Sequence, residues 1–522
     1  MPTKKKHIYQ EVDKLAGFCQ DSCTFLWDNP ELGGTEKASA DYMRNLLKNE
    51  GFTIVDEPRM EHAFYAEYGS GHPVIAILGE YDALPGLSQK RNTVEREPIV
   101  PGAPGHGCGH NLIGSASATA AVALKNIMQK EGLAGTIRFY GCPEEELLSG
   151  KVKMAYYGMF EGCDLALSWH PMTGNAVMDK SYLACAYAKF YFTGTTSHAA
   201  FAPHLGRSAL DAMELMNVGV NYLREHVIDS ARIHYATDSC GYPPNIVPGK
   251  AVNWYCIRAP KMSDVRSILN RIEKVAKGAA MMTETEVEMK IEHGCCEMHP
   301  NTKFVDLTHA VMKEVPLPVY ADNELQYAAH LQTTVNPEAV RAESQTYGKM
   351  EILHTSVAPR EVSRNLAMNA SSDSGDVSYI MPMNLFTVAC WPFGVAPHTW
   401  QAAAASGSSF AAKGALYAAK VITGTAYKLL TEPAKTEEII KEFKDAKVEY
   451  APMYKDCSYR LSGKITLRHM NVPFVARQMG HFFENPADAA FMFEAGEREL
   501  AGVCVEFRTP VCYDDHNTTK SI

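Results

Sequence analysis

The spacing of apolar residues divides the chain into two kinds of segment. Residues 8–29 and 36–50 carry apolar side chains at helical intervals and predict two amphipathic helices, the second closed by Gly51 as a C-terminal cap. Residues 52–55 and 63–68 read as strands. Residues 73–78 are apolar without a break, which predicts a strand covered on both faces of a mostly parallel sheet. Residues 111–130 predict a helix rich in Ala, Ser and Gly, able to lie close to that sheet. Strands follow at 136–140 and 165–169, so the α/β alternation predicts a parallel sheet.

The pattern then changes. A strand is predicted at 186–193, a helix at 207–226, strands at 232–235 and 252–257, a helix at 262–282 and a strand at 287–293. This β-α-β-β-α-β order is that of a ferredoxin-like module. The first pattern resumes near residue 298, with a helix at 302–315, a buried-type strand at 385–391 and helices at 402–424 and 435–446. The expected organisation is a discontinuous catalytic domain in two parts, 1–185 and 297–455, around an inserted domain at 186–296. Residues 456–522 form a C-terminal extension to which no role is assigned.

A chain of 522 residues, 46% apolar and 21% charged, fits a soluble globular protein of two or three domains. The net charge of -10 argues against nucleic acid or an anionic membrane as partner. Lys4, Lys5 and Lys6 precede no long apolar run, so neither a signal peptide nor a membrane span is expected. The 14 cysteines are scattered, as in reduced thiols of a cytoplasmic protein.

The chemistry gathers where the predicted strands end. Asp82 lies just past the 73–78 strand, Glu144, Glu145 and Glu146 follow the 136–140 strand, and His170 follows the 165–169 strand. Ligand sites of open α/β sheets collect at that edge. Between them, Cys108 and His110 are spaced to project to one side of an extended backbone, among glycines that permit tight turns. Cys108, His110, Glu146, His170 and His398 together make a mixed sulfur, nitrogen and oxygen ligand set for transition metals. One carboxylate more would be enough to bridge two ions, which acidify bound water, and the glutamate triplet could provide both a ligand and a neighbouring base. His198 is a candidate donor to an oxyanion, and Arg258 a candidate fork for a substrate carboxylate. Cys108 as a nucleophile is disfavoured, because His110 is too near in sequence to be its base.

Several runs carry a resemblance to a known family: GHGCGHN, GCPEEE with SGK behind it, SWHP, SHAAFAPHLGRSALDAMELMNVGVNYLREH, PPNIVPGKAVNWYCIRAP, SSDSGDVSY and PHTWQ. Together they resemble the metallo-aminoacylase and carboxypeptidase family. The resemblance implies a zinc-peptidase-like three-layer catalytic domain with an inserted ferredoxin-like dimerisation or lid domain. It implies an amidohydrolase with two divalent ions, Mn2+ or Zn2+, held by Cys108, His110, Glu146, His170 and His398. Glu145 would be the general base, and His198 would reach the site of a partner subunit. Asn245 and Arg258 would meet the carboxylate of a small amide substrate, an N-acyl or N-aroyl amino acid such as a p-aminobenzoyl-glutamate-like or dipeptide-like compound. The chain would work as a homodimer or as a hetero-oligomer with a sister subunit. A catalytically inactive member that binds ligand or supports a sister subunit is the alternative. Glu144 and the pair Leu147 and Leu148 depart from the family pattern beside the base.

Overall fold

The computed structural model describes residues 6–365, 370–447 and 449–453, which belong to one compact unit. The expected extension at 456–522 lies outside the described residues. Among the described residues eleven strands build two sheets: β1 (Thr53–Asp56), β2 (Phe64–Ser70), β3 (Val74–Glu80), β4 (Gly135–Cys142), β5 (Leu165–Met172), β6 (Ala176–Val177), β7 (Ala184–Thr193), β8 (Arg232–Ser239), β9 (Lys250–Ala259), β10 (Glu286–Cys295) and β11 (Met383–Ala389). The larger sheet has the order β1-β2-β4-β3-β5-β11-β6. Its centre, β4-β3-β5-β11, is parallel, and β1, β2 and β6 add antiparallel edges.

The unbroken apolar run of β3 has the cause expected from the sequence. Ile75 and Ile77 enter one core beneath helices Ala16–Asp28, His110–Glu131 and Ser409–Thr431, while Ala76 and Leu78 enter a second core on the opposite face. The sheet is thus the middle of three layers. After β3 the chain crosses through helix His110–Glu131 to β4 on one side, then through helix Gly150–Tyr156 to β5 on the other. That reversal leaves a crevice at the carboxyl end of β3, the usual place for a site in such sheets.

The smaller sheet has the order β10-β7-β9-β8, all antiparallel, with helices Ala209–Leu223 and Met262–Thr283 over one face and its own core. Numbered within the module the order is 4-1-3-2, as in ferredoxin-like folds. The larger sheet takes β11 from beyond this module and its other strands from before it.

Some elements differ from the expectation. The first helix is broken at Lys14 and Leu15 into Lys6–Asp13 and Ala16–Asp28, and the 402–424 helix is interrupted at Gly407 and Ser408. At the second break a Cβ on Gly407 would lie 2.6 Å from the Trp27 ring, so the backbone turns where a side chain has no room. Helices Asp322–Gln332 and Pro337–Tyr347 are additional to the elements that the apolar spacing predicts.

Small residues do bring helix His110–Glu131 onto the sheet. Ser117 donates to the Leu78 carbonyl at 2.7 Å, and a Cβ on Gly114 would lie 2.7 Å from the Glu80 carbonyl oxygen. Gly114→Ala is therefore expected to push the helix off the strand, costing about 1–3 kcal/mol and lowering the thermal midpoint. Gly17→Ala, at a helical glycine with open space around it, should leave the midpoint unchanged or raise it. Equal midpoints for both variants would show that the close approach is not needed.

Candidate active site

Segments leaving the carboxyl ends of β3, β4 and β11, together with β5 itself, bring the predicted ligands to one place. Cys108 and His110 arrive on the loop that enters helix His110–Glu131. Their backbone is not the extended one the spacing suggested: Gly109 takes φ 76°, in the left-handed region, and turns the chain into the helix. A side chain at Gly109 would be strained there, and its Cβ would lie 2.7 Å from Pro171. His398 is held beside this loop, its backbone N–H donating to the Gly107 carbonyl at 2.9 Å.

Side-chain distances are short. The Cys108 Sγ is 3.4 Å from Nε2 of His170, and Nε2 of His398 is 3.3 Å from Oε2 of Glu146. Around Nε2 of His110 stand carboxylate oxygens of Glu80, Glu145 and Glu146 at 3.6, 3.7 and 3.9 Å. Three groups bring their potential ligand atoms within 4.8 Å of one another: Cys108 with His110 and His170, Cys108 with Glu146 and His398, and Glu80 with His110 and Glu145.

The histidines are oriented by their other ring nitrogens. Nδ1–H of His110 donates to Oδ1 of Asp82 at 2.8 Å, and Nδ1–H of His170 donates to the Pro171 carbonyl at 2.8 Å. The neutral His170 ring thus aims an Nε2 lone pair at the cluster, and Nε2 of His110 does so once the ring gives up its second proton, the arrangement that suits a metal ligand. Asp82 does a second thing: its Oδ2 accepts the backbone N–H of Glu146 at 2.8 Å, fixing the glutamate loop to the same carboxylate. Glu36 accepts the Glu144 N–H at 2.7 Å, at a residue whose φ is 58°. The Glu144 side chain turns away to Ser149 and Lys153, whereas Glu145 and Glu146 line the cavity. The triplet is thereby divided.

The donors fit a metal. Nε2 of His110 and Oε1 of Glu146 are buried polar atoms with no hydrogen-bond partner, 3.9 Å apart. Such atoms are costly to leave unsatisfied in a protein interior, and a cation taking the place of the protons would satisfy both. Burial, with Glu80 alongside, pushes Glu145 up to about 8, and burial pushes Glu146 up to about 7. Burial and the neighbouring His110 lower His170 to about 4, and burial raises the Cys108 thiol. Burial opposes charge on His110, but Asp82 and Cys108 hold its pKa well above the ordinary value. Bound divalent cations reverse this logic, favouring thiolate and carboxylate.

Sequence reasoning missed the counter-charge beneath the cluster. Lys151, with no exposed side-chain surface, sits 2.7 Å from Glu80 and 2.5 Å from Asp373. Burial opposes its charge, and Asp373 and Glu80 restore it. The sequence pattern leaves Glu80 unmarked, puts Asp82 at the rim without a task, and holds Lys151 and Asp373 inside motifs without one. The signal for Glu80 and Asp82 is their alternate spacing at a strand exit.

A cavity of about 560 Å³ opens above the cluster. Arg258 reaches it from β9, donating to the Ser371 hydroxyl at 3.2 Å, and has no carboxylate within ion-pair distance among the described residues. His198 and Asn245 do not join it. Both are exposed, on adjoining loops where the Ala199 N–H donates to the Asn245 carbonyl at 2.9 Å. Nδ1 of His198 accepts from the N–H groups of Ala200 and Phe201 at 3.2 and 3.0 Å, so its proton sits on Nε2 as an outward donor.

Residues 76–424 match the model of peptidase family M20/M25/M40. The chain belongs to this family. It is accordingly a metal-dependent amide hydrolase. Across 433 residues it is 40% identical to one of the subunits of p-aminobenzoyl-glutamate hydrolase of Escherichia coli (strain K12), covering 80% of this chain and 90% of that protein. It is 25% identical over 467 residues to Xaa-Arg dipeptidase of Mus musculus, covering 84% and 92% of the two chains. A Bacillus subtilis protein described as a dinuclear metal binding peptidase from the M20 family shares the fold, with a TM-score of 0.52, 17% identity and coverage of 81% and 99%. Among the described residues no helix is long and apolar enough to cross a membrane.

Asp82 touches no cavity group directly except through His110 and the Glu146 backbone. Asp82→Asn is expected to keep the fold while weakening metal affinity by about 10–100-fold, read by titration of the metal-free protein with zinc or manganese. Unchanged affinity would mean that the histidine needs no orienting carboxylate.

Proposed function

We propose that this cavity hydrolyses the amide bond of a small N-acyl or N-aroyl amino acid, with p-aminobenzoyl-glutamate-like compounds as the leading class. The observation that carries the reading is the pair of donor groups sharing Cys108, set beneath a cavity that also holds a guanidinium with no carboxylate in ion-pair distance among the described residues. Cys108, His110 and His170 would hold one divalent ion, and Cys108, Glu146 and His398 the other, as Mn2+ or Zn2+. When bound, the ions supply Lewis acidity and make water at the site a stronger acid.

The chain's own residues perform the remaining tasks. Glu145 accepts the proton of the attacking water and delivers it to the leaving amine nitrogen. Its side chain is nine-tenths buried and reaches within 3.7 Å of His110, so it stands among the ligands, and no Lys or Arg lies within ion-pair distance of it among the described residues. Arg258 pairs with the substrate carboxylate through its planar fork. The apolar and aromatic walls, which include Trp169, Met172, Met178 and Tyr347, suit an acyl group with a ring. His198, supplied by a second copy of the chain, donates its Nε2–H to the scissile carbonyl, with Asn245 beside it. The outward donor on an exposed loop supports a role in trans, in a homodimer or alongside a sister subunit. The module from β7 to β10 then serves as lid and dimerisation unit.

The alternative of an inactive, ligand-binding member needs neither a base nor its burial among ligands. Glu145→Gln separates the two readings on a panel of p-aminobenzoyl-glutamate, N-acyl amino acids and dipeptides. Turnover should fall at least about a hundredfold with metal content unchanged. Wild-type protein that loads metal but hydrolyses none of the panel would contradict the proposal.

A further inference from the structure

Of the carboxylates lining the cavity, Glu80 is paired with Lys151, and Glu343 is employed by neither the ligand set nor the hydrolytic reading. Glu343 lies on helix Pro337–Tyr347, between the segments that carry His170 and His398. Its Oε1 accepts the Thr173 hydroxyl at 2.9 Å, and its Oε2 accepts the Gly394 N–H at 2.9 Å. Thr173 is three residues past His170, and Gly394 is four before His398. The helix is anchored again by Tyr347, whose ring stacks on Phe393 at 5.5 Å and 22°. The carboxylate is therefore held in one position, by partners other than the substrate.

It is nevertheless incompletely satisfied. A carboxylate offers about four acceptor directions, and two are used. No Lys, Arg or His lies within ion-pair distance of Glu343 among the described residues, and Arg258, the cation of the same cavity, is not its partner. Burial raises its pKa from the ordinary carboxylate value. Met172, Met178 and Leu385 line the same cavity as apolar walls, and its remaining uncharged polar groups are hydroxyls such as those of Thr346 and Thr387. An acceptor fixed in largely apolar surroundings favours an occupant that brings a donor, and disfavours one that covers it with hydrocarbon.

We infer that Glu343 is a specificity-determining residue that selects acyl groups bearing an amine over the same acyl groups without it. The inference rests on the amide-hydrolase reading above and narrows its substrate class. Arg258 takes the carboxylate of the amino-acid part, and Glu343 accepts an N–H of the acyl part, so these two groups address different parts of one molecule. An aminobenzoyl group meets both demands, a ring for the apolar walls and an amine for the acceptor.

The test compares p-aminobenzoyl-glutamate with benzoyl-glutamate, which differ only in that amine, in the metal-loaded wild type and in Glu343→Gln. The amide side chain can still accept from Gly394 and donate to Thr173, so the helix keeps both anchors while the charged acceptor is lost. The wild type should prefer the amino compound in kcat/KM by about tenfold or more, and Glu343→Gln should remove most of that preference. Inhibition of the wild type by p-aminobenzoate should likewise exceed inhibition by benzoate, a comparison that stands even where the variant does not fold. Equal handling of the two compounds by the wild type, or an undiminished preference in the variant, would overturn the role of Glu343 alone. Turnover of neither compound would overturn the substrate reading and this inference with it.

Discussion

The carboxylate of Asp82 ties the site together. It is fully buried at the exit of β3, and its two oxygens reach two chain segments: one holds the His110 ring, the other the backbone of Glu146. Through these bonds the helix carrying His110 and the loop carrying Glu145 and Glu146 are set relative to one strand end. The strand end is itself fixed by close packing, since Gly79 and Gly114 leave no room for a side chain between strand and helix. Small residues in the core and a buried acid at the rim thus serve one geometric purpose.

The second constraint is charge. Glu80, Asp82, Glu145 and Glu146 are gathered in a poorly solvated space with Cys108, and the buried Lys151 stands beneath them. One ammonium shared by Glu80 and Asp373 does not balance the cluster in its fully ionised form, so without a metal Glu145, Glu146 and Cys108 are pushed towards protonation and His110 is held charged. The unpartnered Nε2 of His110 and Oε1 of Glu146 lie where metal ions would take the place of those protons. Lys151 keeps Glu80 ionised by contact, leaving the remaining acceptors for ions.

Much of this was legible in the sequence because it rests on local pattern. The apolar run of β3, the βαββαβ order of the inserted module and the clustering of acids, Cys and His at strand exits all follow from spacing. What was not legible depends on distant partners. Lys151 meets Asp373 across 222 positions, and nothing in the SGK run signals a buried lysine. Helix Pro337–Tyr347 presents mostly exposed side chains with Val340 alone buried, so it lacks the apolar stripe that marks a helix, and Glu343 was invisible with it. The left-handed Gly109 shows a different limit: the spacing of Cys108 and His110 identified the pair, but the backbone between them is set by the helix it begins. His198 and Asn245 stand apart from the cavity of their own chain, so their proposed roles depend on a second copy.

The central claim is that one thiolate, Cys108, is shared by two ions. X-ray absorption at the zinc edge of protein loaded with two zinc ions tests it most directly. A sulfur scatterer near 2.3 Å at about one per zinc, absent in Cys108→Ser, is the predicted result. A first shell of nitrogen and oxygen alone, or a sulfur signal that survives the substitution, would contradict it.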